Sequence, residues 1–448
     1  MERPVLTPTE RVAIMAIDFE LTPEQKKLKY DTREFALEVV KPCAEKGDRE
    51  TDAQKAFGAM KPAFEEAYRL GLPTSFLPKE YGGGGFSNVD FLIAAEELSA
   101  VDPGFATIVF VNGLALMPLT WFGSQAQRAQ WISQATSNAT DDYLAGWVVS
   151  ERGGTANFDH PSPVAGIQVT ADHDKKNGVY VLNGEKHWPC NAGGWDLQGA
   201  DTNLCIVRTD RNAGGKDALS AVLVDRGTPG VSYEVIDKIG HRTCQNVTVT
   251  FIHAEVPEEN VFAVGNGDFV INRNFTWSSP VASIAAVGVA RGAYEFALNW
   301  AKTFTGGGTK PIINYQGVGN LLAEIAGKIE AARYMAWKSA RYMDKYDSEG
   351  QALGGMSKTF CGDLMQSVVF DCMRVVGVNA LDRKFPMEKF YRESVIFPLY
   401  DAGSLAMQRR RAWGVMASDE FSVDTFADSD PIVFTKRMEG YGVLADVG

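Results

Sequence analysis

The sequence predicts an α+β protein that is mostly α, with helices first, strands in the middle and a helical bundle last. Helical periodicity occupies the chain up to about residue 142 and returns after Gly267. Short β-branched segments separated by Gly, Asn and Asp fill the region between. A chain of 448 residues with 45% hydrophobic and 22% charged residues suits two or three soluble domains. The predicted domains are residues 18–142, 143–262 and 263–436.

The N-terminal region begins with a helix-start signal. Thr22 is a capping residue, Pro23 occupies the first helical position, and Gln25 lies three residues after the cap. An apolar stripe then predicts a helix that ends near Pro42; it comprises Phe35, Ala36, Val39 and Val40. The run 91–98 predicts another helix, and Gly82–Gly85 between the two predicts a flexible turn.

The middle and last regions differ in their period. Four short segments predict strands of a small barrel or sandwich: 179–182, 204–207, 221–224 and 247–251. Later apolar residues recur every three or four positions, which predicts one buried face of a long bundle helix: Leu322, Ile325, Ile329, Ala332 and Ala336.

Composition argues against several functions. A net charge of −12 and a pI of about 5.1 disfavour a nucleic-acid partner. No uninterrupted apolar run approaches the roughly 18 residues of a membrane helix, so no membrane partner is expected. Residues 1–19 lack the pattern of a signal peptide, and six scattered cysteines fit a reducing cytoplasm. The five histidines lack ligand spacing, so no metal site is expected.

Asp401 is the residue in the sequence that most strongly suggests chemistry. It lies between Tyr400 and the small residues Ala402 and Gly403, shortly before an arginine run at 409–411. An aspartate in such a place caps a helix by accepting backbone N–H bonds. It also suits a catalytic base, since small neighbours leave room for a substrate carbon. Local sequence leaves both alternatives open.

Five segments, in chain order, resemble the acyl-CoA dehydrogenase superfamily of flavoenzymes. They are residues 78–83, 147–151, 183–192 (Asn-Gly-Glu-Lys-His-Trp-Pro-Cys-Asn-Ala), 256–260 and 400–403 (Tyr-Asp-Ala-Gly). The resemblance implies a four-helix C-terminal bundle, an FAD cofactor and a homotetramer. It also implies that Asp401 removes an acidic C–H proton while electrons pass to flavin N5. The cofactor-binding positions that it implies are Trp147, Val149, Ser150, Thr155, Trp188, Cys190, Gly377 and Gly403.

Within the family, the likeness is closest to the nitroalkane oxidases. Segments 154–157, 184–189, 193–196 and 199–201 carry it in the middle domain. Segment 398–401 also carries it, because these oxidases have aspartate at the base position where most dehydrogenases have glutamate. The resemblance implies oxidation of a small nitroalkane to an aldehyde or ketone plus nitrite, with O2 as an acceptor. The alternative is desaturation of an unusual acyl-CoA, with electrons passing to an electron-transferring flavoprotein. A flavin-less structural relative is a third alternative.

Several positions depart from the family pattern. Residues 276–280 replace an Asp-x-x-Arg-Pro segment near the CoA chain, which favours a substrate without CoA. Ser278 within this segment either holds Asp401 or caps a helix. An arginine near the oxidase aspartate aligns with Gln408 here, so Arg409 belongs to the site or to a solvated or FAD-binding face. Cys190 replaces a hydroxyl, and Gly377 lies in a thinned glycine motif.

Overall fold

The computed structural model describes residues 20–137, 141–419 and 421–422, and it contains the predicted order of helices, strands and helices. The fold class is therefore confirmed. Residues 1–19, on which the signal-peptide prediction rests, lie outside the described residues. So do residues 138–140 of the predicted first domain and residues 420 and 423–436 of the predicted last domain.

Eight helices form the described N-terminal region. They are α1 (Pro23–Phe35), α2 (Lys41–Arg49), α3 (Ala53–Gly58), α4 (Lys61–Arg69), α5 (Asn88–Ser99), α6 (Pro103–Phe122), α7 (Gln125–Gln127) and α8 (Ser133–Thr136). The predicted capping box is present, since the Thr22 and Gln25 side chains exchange hydrogen bonds with each other's backbone N–H.

One local prediction in this region was wrong. The first helix does not end near Pro42, because a π-helical turn, Ala36–Val40, joins α1 to α2. Proline is tolerated at the start of α2, where its missing N–H is not needed. The predicted turn at Gly82–Gly85 is present and closely packed: Gly85 N donates to Leu77 O at 2.9 Å, and a Cβ on Gly83 would lie 2.2 Å from Leu77 O.

The middle domain is an eight-stranded sheet. Its strands are β1 (Ala145–Val148), β2 (Thr170–Asp174), β3 (Val179–Cys190), β4 (Thr202–Arg208), β5 (Leu219–Asp225), β6 (Val231–Val235), β7 (Asn246–Pro257) and β8 (Val261–Phe262). The order is β6-β7-β3-β2-β4-β5-β8, and β1 pairs with β4 in parallel. One short helix, α9 (Gly215–Ala218), precedes β5. One set of strand side chains encloses a core within this domain, while another set, including Trp147 and Leu204, joins the core of the helices.

The C-terminal region is a helical bundle. Its helices are α10 (Gly267–Thr303), α11 (Gln316–Tyr346), α12 (Gln351–Val376), α13 (Met387–Ser394) and α14 (Arg409–Met416). The predicted stripe on α11, Leu322 to Ala336, is buried throughout. Both α13 and α14 pack against α12, so the loop between them, which carries Asp401, lies beside the middle of the bundle.

Three described helices are long and apolar enough to cross a membrane by length and composition: Pro103–Phe122, Gly267–Thr303 and Gln351–Leu381. Each of them contains polar residues, so none is the uninterrupted apolar run on which the membrane expectation was based. The apolar windows of the first two are 67% and 78% buried inside the protein. Burial in the protein core therefore accounts for the apolar sequences of these two helices.

Candidate active site

The carboxylate of Asp401 has one anchored and one open oxygen. Ser278 Oγ donates to Asp401 Oδ1 at 2.7 Å, although 123 residues separate them. Asp401 Oδ2 is buried without a hydrogen-bond partner among the described residues. Among the described residues, no backbone N–H group donates to the Asp401 carboxylate. Ser278 lies inside α10 and not at its start. The structure therefore gives neither residue the capping role.

Burial raises the pKa of the Asp401 carboxyl. The Lys358 ammonium, the hydrogen bond from Ser278 and the Arg411 guanidinium each oppose this rise. Desolvation disfavours the charged form, whereas nearby cations and donors favour it. The ionised group is thus a stronger base than an exposed aspartate, and it abstracts protons only above its raised pKa.

The loop around Asp401 holds an unusual backbone. Asp401, Ala402 and Gly403 have φ angles of 48°, 69° and 60°, so three consecutive residues are left-handed. Such a conformation costs about 1–3 kcal/mol for a residue other than glycine. Ser404 N donates to Pro398 O at 2.8 Å and closes the loop. Gly403, a predicted cofactor residue, thus forms part of the turn that orients Asp401.

The arginine run divides between surface and interior. Gln408 Nε2 donates to the backbone carbonyl of Asp401 at 3.0 Å. Arg409 pairs with Asp363 at 2.6 Å on the exposed side and does not reach Asp401. Arg411 is buried, so the expected solvated or FAD-binding face does not extend to it. A π-helical turn, Gly403–Gln408, precedes α14 and shifts the phase that linear spacing would give.

The Arg411 side chain reaches segment 276–280, which stands where the family pattern has CoA-binding charges. Its Nη2 donates to Thr276 Oγ1 at 2.6 Å and to Asn272 O at 2.8 Å. Its Nη1 donates to Gln408 Oε1 at 3.0 Å. Thr276 is consequently committed to the bundle interior.

The middle domain reaches this loop through a pair of cysteines and a histidine. The His241 ring lies 5.7 Å from the Tyr400 ring, centroid to centroid. The charges of Asp401, Cys190 and Cys244 add to burial in raising the pKa of Tyr400, so both sulfurs lie near the loop. The Cys244 thiol lowers the pKa of Cys190, and Asn246 Nδ2 donates to Cys190 Sγ at 3.1 Å.

Two predicted cofactor residues are tryptophans, one with an exposed ring and one with an unpaired indole N–H. Trp188 has a φ of 78° and is 49% exposed, which is high for so large an apolar ring. Trp147 is buried, and its indole Nε1 has no hydrogen-bond partner among the described residues. An open apolar face and an unpaired buried donor fit a flat, polar-edged ring such as a flavin.

A buried ion pair fixes the segment that follows β1. Lys186 Nζ donates to Val149 O at 2.9 Å and to Glu151 Oε1 at 2.8 Å. Ser150 O accepts from His187 N at 2.8 Å. The predicted flavin-edge residues Val149 and Ser150 are therefore held by side-chain and main-chain bonds from β3.

The remaining two predicted cofactor residues lie apart. The segment after Thr155 reaches α14, where Arg410 pairs with Asp159 at 2.9 Å. Gly377 ends α12 nineteen residues beyond Lys358, roughly 28 Å away at the rise of an α-helix. The structure therefore does not bring Gly377 to the Asp401 site. The described part of the chain contains no cluster of three or more His, Cys, Asp or Glu side chains able to hold a metal ion.

Family models identify the chain. The N-terminal, middle and C-terminal domains of acyl-CoA dehydrogenase match residues 22–139, 154–253 and 265–413. The chain belongs to the acyl-CoA dehydrogenase superfamily. As a member, it is a flavin-dependent oxidoreductase.

This acyl-CoA dehydrogenase superfamily member is similar to nitroalkane oxidases in sequence and structure. It is 28% identical to nitroalkane oxidase of Fusarium oxysporum, covering 90% of this chain and 96% of the relative. It is 29% identical to cyclohex-1-ene-1-carbonyl-CoA dehydrogenase of Syntrophus aciditrophicus, over 85% and 87% of the two chains. Among solved structures, an active-site Asp-to-Asn variant of nitroalkane oxidase with 1-nitrooctane superimposes with a TM-score of 0.86, at 27% identity over 92% and 99%. An active-site Ser-to-Ala variant with 1-nitrohexane also gives 0.86, at 28% identity over 92% and 99%.

Sequence reasoning missed Lys358, Arg411 and Cys244. Lys358 carried a usable signal, because it is a lone charge among small and apolar residues at 354–362. Arg411 lies three residues after Gln408, on the same helical face, but the preceding π-helical turn hides its phase. Cys244 carried none, since its nearness to Cys190 arises only from the pairing of β3 with β7.

Proposed function

We propose that this protein is an FAD-dependent nitroalkane oxidase in which Asp401 removes the acidic proton next to the nitro group. The observation that carries the proposal is the Asp401 carboxylate, with Oδ1 held by Ser278 and Oδ2 buried and unpartnered. Solved nitroalkane oxidase structures include variants of an active-site aspartate and an active-site serine, and this chain has that pair of residue types in contact. The products are nitrite and an aldehyde or ketone whose oxygen comes from water, and O2 takes up the two electrons and two protons to give hydrogen peroxide.

The side chains provide a base in a fixed position. Ser278 and the strained loop hold the carboxylate, while Asp401 Oδ2 accepts the proton from the substrate carbon. Partial desolvation raises its basicity. FAD, when bound, accepts the electron pair, and Trp147, Trp188, Val149 and Ser150 would hold its ring system. O2 is the proposed final electron acceptor.

The α10 segment supports a small substrate. Residues 276–280 carry no charge, and the Thr276 hydroxyl is already bonded to Arg411. A CoA thioester carries phosphates, which proteins bind with cationic side chains or helix N-termini. Residues 276–280 offer neither a cationic side chain nor a helix N-terminus, whereas a nitroalkane requires only the base and the flavin.

Anaerobic reduction of the purified flavoprotein tests the proposal directly. The enzyme is mixed with nitroethane and, in parallel, with a panel of acyl-CoAs, while flavin absorbance and nitrite are followed. Bleaching by nitroethane with stoichiometric nitrite release is the expected result. Bleaching by an acyl-CoA alone would replace the proposal with an acyl-CoA dehydrogenase that reduces an electron-transferring flavoprotein. A protein that binds no FAD would indicate a non-catalytic relative.

Replacing Ser278 by alanine is expected to lower kcat/KM for nitroethane by about tenfold to a hundredfold near neutral pH. A hydrogen bond to a charged group contributes about 1.5–3 kcal/mol, and its loss also raises the pKa of Asp401 further. The acidic limb of the pH profile should move to higher pH. Steady-state kinetics between pH 5 and 9 measures both effects.

Ser279→Ala is the matched control, because the Ser279 hydroxyl bonds Phe275 O within α10 and does not contact Asp401. It should keep the wild-type profile. If Ser278→Ala and Ser279→Ala have the same kcat/KM and the same pH profile, Ser278 has no role in the reaction.

A further inference from the structure

Lys358 is a buried cation attached to the loop that carries Asp401. It lies on α12 and is only 1% exposed. Its Nζ donates to Phe397 O at 2.9 Å and lies 5.7 Å from the centroid of the Tyr400 ring. Both contacts are within four residues of Asp401, on the segment that turns into the left-handed loop.

These two contacts do not balance the charge of Lys358. Burying an ammonium group is costly unless it is paired and hydrogen-bonded. Among the described residues, Lys358 forms no ion pair within 4.0 Å, and a carbonyl and a ring supply only partial negative charge. Burial lowers the pKa of Lys358 to about 8, and the charges of Asp401 and Asp363 oppose this change. Because Asp363 already pairs with Arg409 on the exposed side, Asp401 is the acidic group left to balance Lys358.

The arginine run does not supply this charge by direct contact. Gln408 is neutral and bonds the Asp401 carbonyl, and Arg409 faces Asp363. Arg411 acts on Asp401 electrostatically, and within the described part of the chain its guanidinium donates to Gln408, Asn272 and Thr276 rather than to the Asp401 carboxylate.

We propose that Lys358 is a positioning residue for the base, fixing the loop through the Phe397 carbonyl and holding Asp401 in its ionised form. The inference rests on the proposed function, in which an ionised Asp401 takes the proton. Lys358 thereby supplies from α12 a charge that the neutral Gln408 cannot supply.

Groups from four elements face the Asp401 loop. Ser278 comes from α10, Lys358 from α12 and Arg411 from α14, all of which favour the carboxylate. From the middle domain, His241, Cys190 and Cys244 face Tyr400. Burial lowers the pKa of His241 to about 3, so that ring is neutral in the working range. The Cys244 thiol lowers the pKa of Cys190 to about 7, so Asp401 must be followed by a signal that reports only carboxyl groups.

The test compares Lys358→Met and Lys358→Arg with Arg374→Met, which removes an exposed charge from the same helix. The pH dependence of kcat/KM for nitroethane is measured on each FAD-loaded enzyme. In parallel, infrared titration of 13C-aspartate follows the Asp401 carboxyl, assigned by its loss in Asp401→Asn. Removing the cation should shift both the acidic limb of the kcat/KM profile and the midpoint of the carboxyl titration to higher pH, by about one pH unit. Lys358→Arg should restore both, and Arg374→Met should match the parent enzyme.

An unshifted carboxyl titration in Lys358→Met overturns the inference, even if activity falls at every pH. If Lys358→Met does not fold, Lys358→Gln keeps a donor for the Phe397 carbonyl without the charge, and the same titrations decide. A parent enzyme that does not oxidise nitroethane would contradict the proposed function but not the inference about Lys358. The infrared titration would still report whether Lys358 sets the ionisation of Asp401.

Discussion

Replacing Asp401 by asparagine is expected to slow flavin reduction by nitroethane by at least 10²–10⁴-fold, while the flavin stays bound. General-base catalysis contributes about that factor, and an amide cannot take the proton. The substitution preserves the shape of the side chain and its acceptor for Ser278. Stopped-flow absorbance under anaerobic conditions gives the rate, and the flavin spectrum gives the FAD content.

Two comparisons make this prediction specific to proton abstraction. Preformed ethyl nitronate already lacks the proton, so the Asp401→Asn enzyme should oxidise it at a rate near that of the wild type. Asp401→Glu restores a carboxylate that is one methylene longer and should retain more activity than asparagine. An Asp401→Asn enzyme that turns over neutral nitroethane normally would show that another group is the base.

Replacing Glu151 by glutamine is expected to destabilise the folded protein by about 3–5 kcal/mol. The Lys186 ammonium is completely buried, and Glu151 is its charged partner at 2.8 Å. Removing one member of a buried pair leaves the other charge uncompensated in a medium that solvates it poorly. Urea unfolding monitored by tryptophan fluorescence measures the change. Because Lys186 also donates to Val149 O, the flavin should also dissociate more readily.

The neighbouring pair provides the control. Arg152 and Glu185 join the same two segments at 3.0 Å, but their side chains are 66% and 41% exposed. Arg152→Ala should therefore cost less than about 1 kcal/mol. The double variant Glu151→Gln with Lys186→Met should recover much of the loss, since an uncharged pair has no buried charge to compensate. Equal stabilities of Glu151→Gln and Arg152→Ala would contradict the prediction.

The sequence determined the order of elements and the identity of the family. Capping at Thr22 and the stripe on α11 depend on residues a few positions apart, and such local rules act within one helix. The segment around Asp401 and the Trp188 motif are likewise continuous in the chain. Local rules failed where a π-helical turn intervened, at Pro42 and again before Arg409, because one extra residue rotates everything that follows.

Only the tertiary structure decided which side chains meet Asp401. Ser278 lies 123 residues before it, and Lys358 is brought to its loop by the packing of α12. Linear spacing aligned Gln408 with the oxidase arginine and left open whether Arg409 reaches the site, but the helix phase turns Arg409 outward and Arg411 inward. Contacts between separate helices depend on their relative rotation and depth, which the packing of many apolar side chains sets jointly. The sequence therefore pointed to the base, and the packed bundle determined the groups that hold it in place.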